Sequence, residues 1–186
     1  MSLDGVEEYA HLLWLDVESS GLHLGSYPIE VGWCAADLQP TSYLIKPLSS
    51  WTIDEWSPEA EQIHGLSRDR LNEVGFAADD IARRLNVAAA GKTVLSDDPA
   101  YDDRWLDRLY HDTEVAREFT LLDAGNAARM AAGGARLSPS EAHSYLARIQ
   151  ARYPHPHRAG PDSRRAAAEF LVMAMPHALH EIEEMA

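Results

Sequence analysis

His11-Leu12-Leu13-Trp14-Leu15-Asp16-Val17, residues 11–17, is dense in apolar and β-favouring side chains and ends in acid. It reads as a buried strand, and the rest of the chain arranges itself around that strand. Residues 29–38 and 42–46 read as two further strands, with Gln39-Pro40 suited to the turn between them. An antiparallel meander therefore comes first. Ser57-Pro58-Glu59 places Ser at an N-cap and Pro at the first helical position, starting a short helix through Ile63 that Gly65 closes. Ile81, Leu85 and several alanines at helical spacing predict a helix over 76–90, stopped by Gly91. Thr93–Ser96 is a short strand, Asp98-Pro99 opens a helix carrying Trp105, Leu106 and Leu109, and residues 119–122 are another strand.

Ser138-Pro139-Ser140-Glu141 is a capping box, and its helix runs to about Tyr153 before Pro154-His155-Pro156-His157 breaks it. A last helix starts near Asp162 and continues to about Leu179. Strands that alternate with helices after a meander predict an α/β domain with a mixed sheet: the N-terminal antiparallel meander plus parallel strands, flanked by helices. The length, 186 residues, fits a single domain over 1–186.

Composition narrows the chemistry. The formal charge is −14, which argues against broad phosphate neutralisation and requires any grip on a polynucleotide to be local. Cys34 is the only cysteine, which excludes an intramolecular disulfide and a cysteine zinc cluster. The first ten residues are acidic, with no basic start and no apolar run. The expectation is a cytoplasmic protein with no signal peptide and no membrane partner.

Three short segments carry candidate chemistry. On a strand, Asp16 and Glu18 point to one face. Two unpaired carboxylates side by side repel, and a divalent cation with a preference for hard oxygen ligands relieves that repulsion. The pair also reads as two solvated acids at a strand end. The turn Ser19-Ser20-Gly21-Leu22 that follows is small enough to bring backbone N–H groups close to a ligand. Asp102 lies in the first turn of its helix, where it either complements the helix dipole or serves a site. Asp162 opens the last helix, and a plain N-cap is one reading of it. His157, five residues earlier in a proline-held loop, has the chemistry of a general base. His155 in the same loop reads as a surface residue.

Together these segments resemble a family. Leu15-Asp16-Val17-Glu18-Ser19-Ser20-Gly21-Leu22, then Tyr101-Asp102-Asp103-Arg104-Trp105-Leu106, then His157-Arg158-Ala159-Gly160-Pro161-Asp162 look like the three motifs of the DEDDh proofreading-exonuclease superfamily, which has a ribonuclease H-like fold. Ile63-His64-Gly65-Leu66-Ser67 is similar to a further segment of that family, and the resemblance spans about residues 11–175. It implies a 3′→5′ exonuclease that releases nucleoside 5′-monophosphates from single-stranded DNA or RNA, or from the 3′ end of a short oligonucleotide. It implies two Mg²⁺ or Mn²⁺ ions held by Asp16, Glu18, Asp102 and Asp162, with Asp16 shared, and His157 as the base. Leu22 would pack on the terminal base, and Ser19, Gly21, Ile63 and His64 would line the nucleotide pocket. A second copy of the chain or a polymerase is the implied assembly partner. An oligoribonuclease-like phosphodiesterase and a non-catalytic binding member are the alternatives. The chain departs from the family at Asp97-Asp98, where His-Asn is usual. An acid there faces incoming phosphate unless it is turned away or bound to metal. Arg104, Arg158, Arg164 and Arg165 read as ordinary surface arginines one by one, and together could form a local phosphate clamp.

Overall fold

A computed structural model describes residues 3–186. Five strands, β1 (Leu12–Ser19), β2 (Pro28–Cys34), β3 (Pro40–Leu44), β4 (Thr93–Ser96) and β5 (Leu121–Asp123), form one sheet in the order β3-β2-β1-β4-β5. β1 is central. It pairs antiparallel with β2 and parallel with β4, and β4 pairs parallel with β5. The expected meander and parallel half are both present.

The helices are α1 (Pro58–His64), α2 (Arg68–Val74), α3 (Ala78–Ala89), α4 (Pro99–Thr113), α5 (Ala124–Gly134), α6 (Pro139–Arg152), α7 (Ala159–Ala174) and α8 (Leu179–Glu184). They cover both faces of the sheet. Leu13, Leu15 and Val17 of β1 pack with Ile81 and Leu85 of α3 and with Leu106 and Leu109 of α4. Leu12 and Trp14 point the other way, to Ile149 of α6 and to Phe170 and Leu171 of α7. A strand buried on both faces reads as a near-continuous apolar run rather than an alternation, which is how residues 12–15 read. No helix among the described residues is long and apolar enough to cross a membrane.

Several boundaries differ from the sequence reading. β2 ends at Cys34, because Leu38 takes a left-handed φ of 57° and Asp37 Oδ1 accepts a hydrogen bond from Gln39 N, turning the chain before Pro40. Pro40 then begins β3, an edge strand, where a missing N–H is tolerated. Two helices were not anticipated. α2 is seven residues long, with Ser67 as its N-cap. α5 is a run of alanine and glycine whose N-cap is Asp123. The long last helix divides at Met175-Pro176, and α8 follows a short 3-10 turn.

α7 begins at Ala159, three residues before Asp162. Gly160-Pro161 therefore belongs to its first turn and is not a separate turn ahead of it. A proline there removes an N–H that has no partner within the helix. The start of α7 lies directly on β2 at Gly32. A Cβ at Gly32 would fall 2.3 Å from the carbonyl carbon of Ala159 and 2.4 Å from Gly160 N. Only glycine allows this approach.

Candidate metal centre and nucleotide pocket

Backbone geometry gathers the acids at one end of the sheet. Asp16 and Glu18 share the face of β1 that carries Trp14, and β1 bulges immediately afterwards, between Glu18 and Ser19. The parallel register pairs Leu12 with Thr93, Leu13 with Val94 and Trp14 with Leu95. Continued two residues past the last pair, the same offset sets Asp97 beside Asp16. Asp102 rises from the first turn of α4, is 3% exposed, and accepts a hydrogen bond from Ser96 Oγ at 2.6 Å. Asp162, 4% exposed, accepts one from Arg158 N at 2.9 Å across the first turn of α7.

The result is two carboxylate triads with a common member. Oxygens of Asp16, Glu18 and Asp162 all lie within 4.8 Å of one another, and so do those of Asp16, Asp97 and Asp102. The first triad unites three of the acids picked from the sequence, and the second contains the fourth. Asp97 is an addition. Its signal was present as the departure from the family pattern, but only the β1–β4 register says where the acid goes.

Burial and mutual repulsion act together on these groups. Burial pushes Asp16 well above the ordinary carboxylate range, and Asp102, Glu18, Asp97 and Asp162 add to the effect. Glu18 is pushed up to about 8 by burial, then by Asp162 and Glu30, against the opposing pull of Arg158. Burial also raises Asp102 and Asp162, the first against the hydrogen bond from Ser96 and the second against the attraction of His155. Asp16 Oδ2 and Asp162 Oδ1 are buried with no hydrogen-bond partner among the described residues. Anionic oxygens held close together and left without donors suit a hard divalent cation. These residues therefore fit the metal that the motifs imply.

Asp16, Glu18, Asp97 and Asp102 open into a cavity of about 420 Å³, with Asp162 behind its wall. Ser19, Gly21, Leu22, Ile63, His64 and His157 line it, as do Asp97, Asp98, Tyr101 and His155. All five expected pocket residues are thus on its wall, together with the expected histidine. Leu22 and Ile63 stand 69% and 59% exposed at its mouth. The turn that presents Leu22 is braced from α4. Arg104 donates to Leu22 O at 3.1 Å, Trp105 Nε1 donates to Ser26 Oγ at 2.9 Å, and Arg108 donates to Gly25 O. His64 is buried, and Leu66 N donates to its Nδ1 at 3.0 Å. That bond puts the ring proton on Nε2, which meets no partner among the described residues. Burial lowers the His64 pKa, so the ring is a neutral donor.

The loop before α7 holds both histidines. His157 takes a left-handed φ of 55° and lies against His155, ring centroids 4.5 Å apart and planes tilted by 41°. His155 is exposed, as a surface residue should be, but its Nε2 also lies 3.3 Å from Asp162 Oδ2. The sequence reading separated the two histidines more sharply than the structure does.

The four arginines considered for a phosphate clamp all have partners within the protein. Arg104 is spent on Leu22 O and lies over Tyr101 and Trp105. Arg158 makes a two-pronged ion pair with Glu30, at 2.8 and 2.9 Å. Arg164 donates to Met185 O, and Arg165 pairs with Glu169. None of the described residues lining the cavity is a lysine or arginine. Glu30 itself, 1% exposed and opposite Glu18 in the β1–β2 register, was not singled out in the sequence.

A larger groove, about 760 Å³, lies beside β5 and α5, but its lining is mostly apolar and gathers no set of converging acids. The acidic cavity is the better candidate.

No family model matches the chain, and no curated protein matches it in sequence. Solved structures do match it. The zinc-bound form of the E. coli exonuclease I–ssDNA complex superposes with a TM-score of 0.64 at 15% identity, over 91% of this chain and 42% of that one. Exonuclease I from Methylocaldum szegediense gives 0.59 at 16% identity, with the same two coverages. E. coli exonuclease I in complex with a dA16 oligonucleotide gives 0.60 at 14% identity, again over 91% and 42%. This chain thus spans less than half the length of the exonuclease I chains it matches. What it shares with them is a ribonuclease H-like fold, the fold that its motifs implied.

Proposed function

We propose that this chain is a metal-dependent 3′→5′ exonuclease, hydrolysing the terminal phosphodiester bond of a single strand and releasing a nucleoside 5′-monophosphate. The observation that carries this reading is the pair of carboxylate triads meeting at Asp16. Asp16, Glu18, Asp102 and Asp162 hold the cations, Mg²⁺ or Mn²⁺. When bound, such ions offset phosphate charge and make water a stronger nucleophile. Leu22 and Ile63 at the mouth of the cavity supply apolar contact for the terminal base. His64 offers its Nε2–H to the substrate. Ser19 Oγ donates to Gly21 O at 2.8 Å and holds the turn in shape. His157 accepts the proton of the attacking water as the bond to the 3′ oxygen breaks. Motif order, the acid geometry and a fold shared with exonuclease I all support this assignment.

One observation favours short substrates over long ones. With no lysine or arginine among the described lining residues, the cavity itself offers a phosphate backbone no fixed side-chain cation of that kind. The oligoribonuclease-like alternative predicts that rate and affinity depend little on length beyond a few nucleotides.

The deciding assay is incubation with Mn²⁺ and end-labelled single-stranded DNA, RNA and dinucleotides, beside an EDTA control and the Asp16→Ala variant. Stepwise shortening from the 3′ end, lost with EDTA and with Asp16→Ala, is expected. Activity that survives both treatments, or equally fast cutting of circular single strands, would sink the proposal. A folded protein that binds strands and never cuts them would be the non-catalytic member.

A further inference from the structure

The second triad is one acid richer than the four motif acids require. Mg²⁺ usually binds one or two carboxylates and completes its shell with water and substrate phosphate. A site built on Asp16 and Asp102 alone would depend on substrate in that way. Here Asp97 arrives at the same point because β4 runs parallel to β1 in a register that sets residue 97 beside residue 16. Its carboxylate lies within 4.8 Å of oxygens of both Asp16 and Asp102.

An acidic cluster alone would mean little, but Asp16 Oδ2 is buried and accepts no hydrogen bond from the described residues. A buried carboxylate without donors is anionic only with a positive charge nearby. No lysine or arginine lines the cavity among the described residues to supply one. Asp102 is already aimed by Ser96, which occupies its Oδ2 and leaves the other oxygen free to ligate.

We propose that Asp97 is a direct ligand of the second cation, and that this triad fills without nucleic acid present. A third carboxylate takes the place that substrate phosphate occupies in a two-carboxylate site. The inference rests on the metal-dependent reading above and adds to it a ligand and an order of binding.

Free Mn²⁺ can be followed by electron paramagnetic resonance during titration of the metal-stripped protein, with no nucleotide added. The wild-type chain should bind two ions. Asp97→Asn should bind one at the same concentrations, the second weakened by at least about 10-fold. Addition of thymidine 5′-monophosphate should restore the second ion to the variant. Asp98→Asn should still bind two. Asp97 is exposed, so its substitution leaves the core intact, and circular dichroism of the variant checks this. Two ions in Asp97→Asn without nucleotide would overturn the proposal. So would a single ion in a wild-type protein that cleaves, an outcome that leaves the exonuclease reading standing. No bound ion together with no cleavage would overturn both.

Discussion

The strand wall of the acidic cavity and its loop wall are held by different means. On the strand wall, Asp16 and Glu18 are fixed by the pleat of a central strand bonded on both sides. Asp102 is fixed by a helix that also braces the neighbouring turn through Arg104, Trp105 and Arg108. Many bonds share the work, and removing one leaves the others. On the loop wall, Asp162, His155 and His157 sit where α7 meets β2. α7 as a whole is seated by its buried face, but its first turn is set locally by a bare backbone contact at Gly32 and an ion pair, Arg158 with Glu30. A site assembled in this way should be robust on one side and brittle on the other.

The severest test of that asymmetry is Gly32→Ala. The new methyl would meet backbone, which cannot rotate away, so α7 must shift and carry Asp162 with it. Overpacking of this kind costs about 1–3 kcal/mol or more. Displacement of a site group by an ångström lowers turnover by about 10²-fold. Thermal unfolding and Mn²⁺-dependent cleavage read the two effects separately. A variant with wild-type activity would show that α7 is not held at this contact.

Arg158→Ala should come next. It strands the Glu30 carboxylate, which is 1% exposed and keeps only the bond from Ala159 N at 3.2 Å. Because the arginine side chain is itself 37% exposed, part of the loss is screened, and about 1–2 kcal/mol is expected. Glu30→Gln should cost less, since it leaves a half-solvated arginine rather than a buried anion. The reverse order in thermal melts would mean that the arginine, not the glutamate, is the group that needs its partner.

The smallest effect belongs to the strand wall. Ser96→Ala removes the hydroxyl that bonds Asp102, at a cost of about 1 kcal/mol, while α4 still holds the aspartate in place. Cleavage should fall by less than about 10-fold, since general positioning is intact. If Ser96→Ala harms activity more than Arg158→Ala does, the two walls have been ranked the wrong way round.

What the sequence revealed follows the same division. Asp16 and Glu18 are legible because a strand's period of two is local, and Ser138-Pro139-Ser140-Glu141 is legible because a capping box is complete within four residues. α5 was hidden because alanines and glycines show no apolar stripe until Ile149, Phe170 and Leu171 are packed nearby. α7 was started late because Gly160-Pro161 reads as a turn, and only its seat on β2 shows that the pair is helical. Asp97 was visible as an oddity, but its destination depends on a register between strands about eighty residues apart. The arginines were open to a surface or a clamp reading, and their partners are Leu22 O, Glu30, Met185 O and Glu169. Tertiary partners of long side chains leave no trace in a linear pattern.

A cavity in which none of the described lining residues is a lysine or arginine also governs how a product would depart. A nucleoside 5′-monophosphate carries close to two negative charges at neutral pH. On the proposed reading it would be retained by the ions and by contact with Leu22 and Ile63, and opposed by the carboxylates around it. Escape would then leave the carboxylate-held ions behind. Added monophosphate would compete for the vacated pocket only while the ions are in place.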